Sequence, residues 1–327
     1  MKLRITRKGL LWAGGALAFV ATCLTAFTHL RAHRRFDAPY PDIHASRDPA
    51  VIERGRYLAT GAAHCGECHG AAPGTGVERR ERAFTGGAEF HLPVGVFRVP
   101  NITPDPETGI GRYTDPEIAR LLRYGVRPNG EQVLPFMPFA DLSDDDLTAV
   151  ISYLRTLKPV RHEVKPHEVN ALGNVVLAYV LRPKGPSAPP QKSVARAATP
   201  EYGRYLTHAV GNCIMCHTKV DLRTGEFAGA PFSGGAVHPS ERDPALSFVA
   251  PNLTPHPRDG WLEGWSEQAF VARFQGGRVH ADSPMPWEAF RNMTDDDLRA
   301  IYRFLRTLPP AAGGPDPKKR EVTIASR

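Results

Sequence analysis

Four of the five cysteines fall in two Cys-x-x-Cys-His motifs, CGECH at 65–69 and CIMCH at 213–217; the fifth, Cys23, lies in an apolar run. Two thiols one helical turn apart can add to the two vinyl groups of a haem, and the adjoining histidine then reaches the iron. Cys65 and Cys68 would tether one haem with His69 as its ligand, and Cys213 and Cys216 a second with His217. A disulfide in each motif would not require the histidine twice. A zinc site needs four ligands, and no further cysteine remains to complete one. A thioredoxin-like redox pair wants a βαβ setting, which this sequence lacks.

A thioether is the expected ligand on the opposite face of such an iron. The chain has five methionines: Met1, Met137, Met215, Met285 and Met293. Met137 stands 68 residues after His69, and Met285 stands 68 residues after His217. Met215 sits inside its own cysteine motif and cannot swing across, and Met293 breaks the spacing. His91 and His280 are rival ligands, each without a counterpart in the other half. A bare Met is otherwise core filler. An iron closed by His and Met has no open position and moves single electrons. No Ser-His-Asp set, phosphate loop or dinucleotide glycine fingerprint points to bond-making chemistry.

These residues belong to a repeat. GRYLATGAAHCGECH at 55–69 matches GRYLTHAVGNCIMCH at 203–217, and Gly86-Gly87 matches Gly234-Gly235. VPNITPD (99–105), MPF (137–139) and SDDDLTAVISYLRTL (143–157) match APNLTPH (250–256), MPW (285–287) and TDDDLRAIYRFLRTL (294–308). Two homologous units of about 110 residues follow, each long enough for its own core. Helices are expected over Val51–Ala62 and Tyr202–Val210. Another opens at the Thr114/Glu117 capping box and closes at Gly125. Ser143 and Thr294 are N-caps of the last helix in each unit, followed by Asp144–Asp146 and Asp295–Asp297 in the first turn, where carboxylates favour the helix dipole. Leu147, Val150, Ile151, Leu154 and Leu157 make one apolar stripe, repeated by Leu298, Ile301, Leu305 and Leu308. No alternating strand run is evident, so both units read as mainly α. The carbonyls of Pro100 and Pro251 are the expected acceptors for the second nitrogen of each axial histidine. Asn101, Asn252, Arg127 and Arg278 are candidates to hold haem propionates.

The boundaries read as 1–45 anchor and spacer, 46–160 first haem domain, 161–199 linker, 200–309 second haem domain and 310–327 a solvated tail. The Pro-rich linker carries six basic and two acidic residues and an apolar piece, Ala171–Leu181, too short to span a membrane and expected to pack on a domain, with a membrane-surface contact as the alternative. The net charge of +7 lies wholly in the first 35 residues, which hold seven basic residues and no acid; beyond them 34 basic residues equal 34 acidic ones. This is no footprint for nucleic acid. The charge brackets Gly9–Thr28, twenty residues without Asp, Glu, Lys or Arg, long enough to cross a bilayer as one helix. Four basic residues before it favour a cytoplasmic N-terminus. A cleaved signal peptide shares this pattern, but Thr28-His29-Leu30-Arg31 is a poor cleavage site. Cys23 follows Thr22, which is larger than a lipoprotein site wants.

With the paired CxxCH motifs, PNITPD, GIGRYTDPEI, LPFMPF and LSDDDLTAVISYL, residues 50–309 resemble the c-type cytochrome subunits of membrane-bound alcohol and gluconate dehydrogenases. Typical members carry three haem motifs and an often C-terminal membrane attachment; this chain has two motifs and an N-terminal apolar run. The resemblance implies two covalently bound haem c groups in tandem periplasmic cytochrome c domains on a single-pass bacterial inner-membrane anchor. It implies axial ligation by His69, Met137, His217 and Met285, a dehydrogenase catalytic subunit as electron donor, and a quinone, small cytochrome or oxidase as acceptor. The chain is then an electron carrier rather than an enzyme. The alternative is a dihaem peroxidase, which requires one iron to open; a membrane protein with vestigial haem sites is a third.

Overall fold

The computed structural model describes residues 7–70, 84–137, 139–221, 224–240, 246–280 and 282–315. Lys2, Arg4 and most of the 310–327 tail lie outside the described residues. Helix α1, Arg7–Ala32, contains the apolar run and is about 39 Å long at 1.5 Å per residue. Its Leu11, Trp12, Leu17, Phe19, Val20, Leu24, Phe27 and Leu30 are all exposed. By length and composition it is long enough to cross a membrane.

The chain then runs extended over the first repeat. Phe36 N donates to the Gly130 carbonyl at 2.8 Å, Arg120 reaches the Tyr40 hydroxyl at 2.9 Å, and Ile43 is buried in the core. Ala45 N and Ser46 N bond Asp115 and Ser152, each at 2.8 Å. Residues 36–46 are therefore a packed strap, where the sequence alone reads a spacer.

In the first repeat α2 (Pro49–Tyr57) is capped by Asp48 and continues through a π-turn, Leu58–Ala62, into α3 (Cys65–His69). A hairpin of β1 (Glu89–Leu92) and β2 (Gly95–Arg98) follows, with Phe90 opposite Phe97. Helix α4 (Asp115–Tyr124) carries the Thr114/Glu117 capping box and ends at Gly125 in the left-handed conformation. Helix α5 (Asp144–Thr156) is capped by Ser143 and buries Leu147, Val150, Ile151 and Leu154. The linker adds β3 (Glu168–Val169) antiparallel to β2, and α6 (Ala171–Tyr179). Helix α6 packs on the first repeat, as expected from the sequence, and also against the C-terminal end of α1: a Cβ on Gly173 would stand 2.2 Å from Val94 O, Gln132 Nε2 donates to the Leu177 carbonyl at 3.5 Å, and Arg31 Nε donates to the Ala178 carbonyl at 3.0 Å.

The second repeat repeats the plan: α7 (Pro200–Tyr205), a π-turn Leu206–Val210, α8 (Cys213–Cys216), short pairs β4/β5 (Val220–Asp221, Glu226–Phe227) and β6/β7 (Val237–Pro239, Ser247–Val249), α9 (Glu267–Gln275), α10 (Trp287–Phe290) and α11 (Asp295–Thr307). The strands correct the sequence expectation of none. They span two to four residues, too short for alternation to show. The start of the tail is also packed, because Ala311 O accepts Asn252 Nδ2 at 2.7 Å.

The repeats meet through a reciprocal interface. Tyr57 and Tyr205 are counterparts 148 residues apart. The Tyr57 hydroxyl donates to Asp297 at 2.7 Å and accepts from the N–H of Thr294, the N-cap of α11. Tyr205 donates to Asp146 at 2.8 Å and accepts from Ser143, the N-cap of α5. Residue i on one unit meets j on the other and the reverse, the signature of a two-fold contact. Burial, then the facing carboxylate, pushes both phenols above the ordinary tyrosine range, so they stay protonated and donate. Arg54 adds a forked pair to Asp146 at 2.8 and 2.9 Å, and touches the Tyr202 hydroxyl at 3.2 Å. Tyr205→Phe leaves Asp146 and the Ser143 N–H short of a partner and is expected to cost about 1–3 kcal/mol. Denaturant unfolding measures it, and a loss under about 0.5 kcal/mol, the size of an ordinary surface change, would show the interface is not held this way.

Candidate haem sites

Both cysteine motifs are entered by the same device. The residue before the first cysteine, His64 in one unit and Asn212 in the other, lies in the left-handed region at φ 41° and 51°. It turns the chain from the π-turn into the cysteine helix. No sequence signal marked it, although His and Asn are among the residues most tolerant of that conformation. Neither cysteine motif closes a disulfide. Burial pushes Cys65 and Cys213 up to about 12, the neighbouring thiol adding to it. Among the described residues no three His, Cys, Asp or Glu side chains gather as a metal cluster.

His69 and His217 are each only 7% exposed. His69 Nδ1 meets the Pro100 carbonyl at 2.9 Å and His217 Nδ1 meets the Pro251 carbonyl at 3.0 Å, as expected from the sequence. A carbonyl only accepts, so Nδ1 carries the proton and Nε2 the lone pair. Burial pushes His69 down and His217 down to about 4, against the opposing pull of each carbonyl, so both rings are neutral. Two thiols at i and i+3 and a neutral, oriented imidazole at i+4 form the donor set that a covalently attached haem requires.

Glycines make that orientation accessible. Gly86 N donates to the His69 carbonyl and Gly234 N to the His217 carbonyl, both at 2.8 Å. A Cβ on Gly86 would stand 2.4 Å from the Pro100 oxygen, and one on Gly234 2.6 Å from Asn252 N, with φ of 70° and 72°. Only glycine lets the backbone pass this close to the proline that holds the ring.

Asn101 and Asn252 are not propionate holders here. Asn101 Oδ1 accepts from Thr103 N and Oγ1, and its Nδ2 donates to Thr108 Oγ1 and the Val160 carbonyl. Asn252 does the same with Thr254, Ala311 and Gly313. All four hydrogen-bonding positions of each amide serve the turn that presents the proline carbonyl. Arg278 is turned to the Ser283 carbonyl, while Arg127 lies near His167.

Met137 and Met285 are half-buried against the core, each in the same tight turn: Phe139 N bonds Met137 O at 3.0 Å and Trp287 N bonds Met285 O at 2.7 Å. Met293 is buried core, and Met215 is exposed within its motif. The rival His91 is 70% exposed and pairs with Glu89, and His280 is also at the surface. The two cysteine loops abut: a Cβ on Gly211 would lie 3.4 Å from Ala62 O and 3.6 Å from Cys213 Sγ, and the His64 ring meets the Phe290 edge at 5.4 Å.

Residues 52–158 match the cytochrome c family model, and with this geometry they form a cytochrome c domain. Most of the chain is also similar to cytochrome c subunits of dehydrogenases. It is 32% identical, over 82% of its length, to the cytochrome c subunit of a quinone alcohol dehydrogenase from Gluconobacter oxydans, of which it covers 56%. It is 30% identical, over 79%, to the cytochrome c subunit of gluconate 2-dehydrogenase from Pantoea cypripedii, covering 60% of it. It is 29% identical, over 76%, to a diheme cytochrome c-type protein of Cereibacter sphaeroides, covering 83%. The chain thus spans little more than half the length of the dehydrogenase subunits it matches.

Proposed function

We propose that this chain is a membrane-anchored dihaem cytochrome c that takes electrons from a dehydrogenase catalytic subunit and passes them to an acceptor at the bacterial inner membrane. Residues 1–45 are the anchor and strap, 46–160 and 200–309 the two haem domains, 161–199 the linker and 310–327 the tail. Helix α1 crosses once and leaves both domains in the periplasm. Cys65 and Cys68, and Cys213 and Cys216, would hold one haem c each by thioethers; His69 with Met137, and His217 with Met285, would be the iron ligands. Haem bound this way supplies a one-electron couple.

The protein's own part is positional. The proline carbonyls fix each imidazole tautomer and leave Nε2 as the ligating atom. The asparagine-threonine turns hold those carbonyls in place. Met137 and Met285 would supply the second iron ligands, which would raise the potential and shut out small ligands. The observation that carries the reading is the recurrence of this whole arrangement in both repeats, with the two cysteine loops in contact. The similarity to dehydrogenase cytochrome subunits supports the choice of donor; a quinone, a small cytochrome or an oxidase fits the acceptor role.

The visible spectrum of the reduced protein is expected to be unchanged by carbon monoxide, since both irons are closed. A clear shift would mean an open iron and would move the assignment to a dihaem peroxidase.

A further inference from the structure

The contact of α6 with the end of α1 brings three guanidinium groups to one oxygen. Arg31 Nε at 3.0 Å, Arg34 Nη1 at 3.3 Å and Arg182 Nη2 at 3.1 Å all donate to the carbonyl of Ala178, a completely buried residue. Their remaining contacts are uncharged. Arg182 Nη1 donates to the Leu181 carbonyl, Arg31 lies over the Tyr179 ring and Arg34 over the Phe36 ring. Elsewhere the buried arginines meet carboxylates: Arg54 with Asp146, Arg123 with Asp144, Arg155 with Asp115. Among the described residues no acidic side chain lies within 4.0 Å of Arg31, Arg34 or Arg182. Arg34 Nη2 is buried without an acceptor. Desolvation, then repulsion from Arg182 and Arg31, lowers the Arg34 pKa. Three like charges share one neutral oxygen, and an anion with several acceptor oxygens resolves that conflict.

We propose that Arg31, Arg34 and Arg182 form a binding site for the phosphate headgroup of an anionic phospholipid, at the point where α1 leaves the bilayer. The proposal rests on the anchor assignment above. The surroundings select a lipid over a free anion. Leu172, Val175 and Tyr179 are exposed on one face of α6 at i, i+3 and i+7, with Val180 beside them. On α1, Phe27 and Leu30 are exposed directly before Arg31. Apolar faces on two packed helices with cations at their shared end match the acyl–headgroup boundary, where arginines reach out to phosphates.

The test uses the full haem-loaded chain, reconstituted in vesicles of mixed phosphatidylcholine and phosphatidylglycerol, re-extracted in detergent and examined for retained lipid by native mass spectrometry. Wild type is expected to retain phosphatidylglycerol in preference to phosphatidylcholine. Arg34→Gln and Arg182→Gln should each lower that preference about fivefold, the weight of one basic residue at an anionic surface, with the visible spectrum unchanged. Arg196→Gln, an exposed linker arginine outside the cluster, should leave it intact. Equal preference in the wild type and the cluster variants, or an equal drop in Arg196→Gln, overturns the site. Displacement of the lipid by inorganic phosphate at matching concentration overturns the lipid assignment in favour of a free-anion site. If alkaline carbonate strips wild type from the vesicles, the anchor fails and the lipid site with it; insertion with no lipid preference sinks only the site.

Discussion

Alanine at Gly55 is expected to destabilise the first repeat by about 3 kcal/mol, at the top of the usual range for overpacking, and alanine at Gly203 to do the same to the second. A Cβ on Gly55 would stand 1.8 Å from the Ala149 oxygen, 2.5 Å from its carbonyl carbon and 2.8 Å from Tyr153 Cβ. On Gly203 it would stand 1.9 Å from the Ala300 oxygen and 2.8 Å from Phe304 Cβ. The obstacle is helix backbone in both cases, so no rotamer change relieves it and the helices must part. These are the crossings of α2 on α5 and of α7 on α11, which bury the apolar stripes of the last helices. Gly14 is the control: nothing lies within 4 Å of its Cβ position, and alanine there should leave the unfolding midpoint of both repeats unchanged. Guanidinium unfolding followed by circular dichroism separates the cases. A Gly55→Ala protein with the wild-type midpoint would show that the helices do not cross this closely. Failure to accumulate folded protein is the same effect at its limit.

Local chemistry was the part of this molecule written plainly in its sequence. The Ser143, Thr294 and Thr114/Glu117 caps form where their side chains can reach a backbone N–H two or three residues on, a relation visible in any short window. The cysteine-histidine motifs and the apolar stripes are of this kind; the proline carbonyls lie 31 and 34 residues from the histidines they meet, and it was duplication that marked them. What stayed hidden depends on partners remote in sequence. Asn101 and Asn252 look like polar turn residues free for a ligand, yet each is spent on a carbonyl 59 residues away, Val160 and Ala311. The strap at 36–46, the pairing of β3 with β2 and the seating of α6 on α1 are likewise set by distant surfaces. Helix α6 is apolar on more than one side and packs on both the first repeat and α1, the second of which its sequence alone does not indicate.

Replacing Met137 by alanine is expected to lower the potential of one haem by on the order of 0.2 V, a part of the roughly 0.8 V that axial ligands span. At 59 mV per decade for one electron, that is a change of more than about a thousandfold in electron affinity. Met285→Ala should do the same to the other haem. The prediction stands on equal spacing from the histidines and on the shared turn in which the methionine carbonyl accepts from the N–H two residues on. The loops differ in their support. Met285 runs directly into α10, whose Phe290 is buried and touches His64 across the repeat interface. Phe136, beside Met137, is exposed and, among the described residues, stacks on Phe90. The opened iron in Met137→Ala is therefore expected to bind carbon monoxide faster than that in Met285→Ala, because its loop has less to hold it in place. Met293→Ala separates ligation from packing: Met293 is buried core, so its loss should cost about 2–5 kcal/mol of stability and leave both potentials where they were. Potentiometric titration of the three variants decides the matter. If Met137→Ala leaves both potentials unchanged, some other side chain closes that iron. If Met293→Ala shifts a potential as far as Met285→Ala does, the equal spacing is a coincidence of the repeat and not the mark of a ligand.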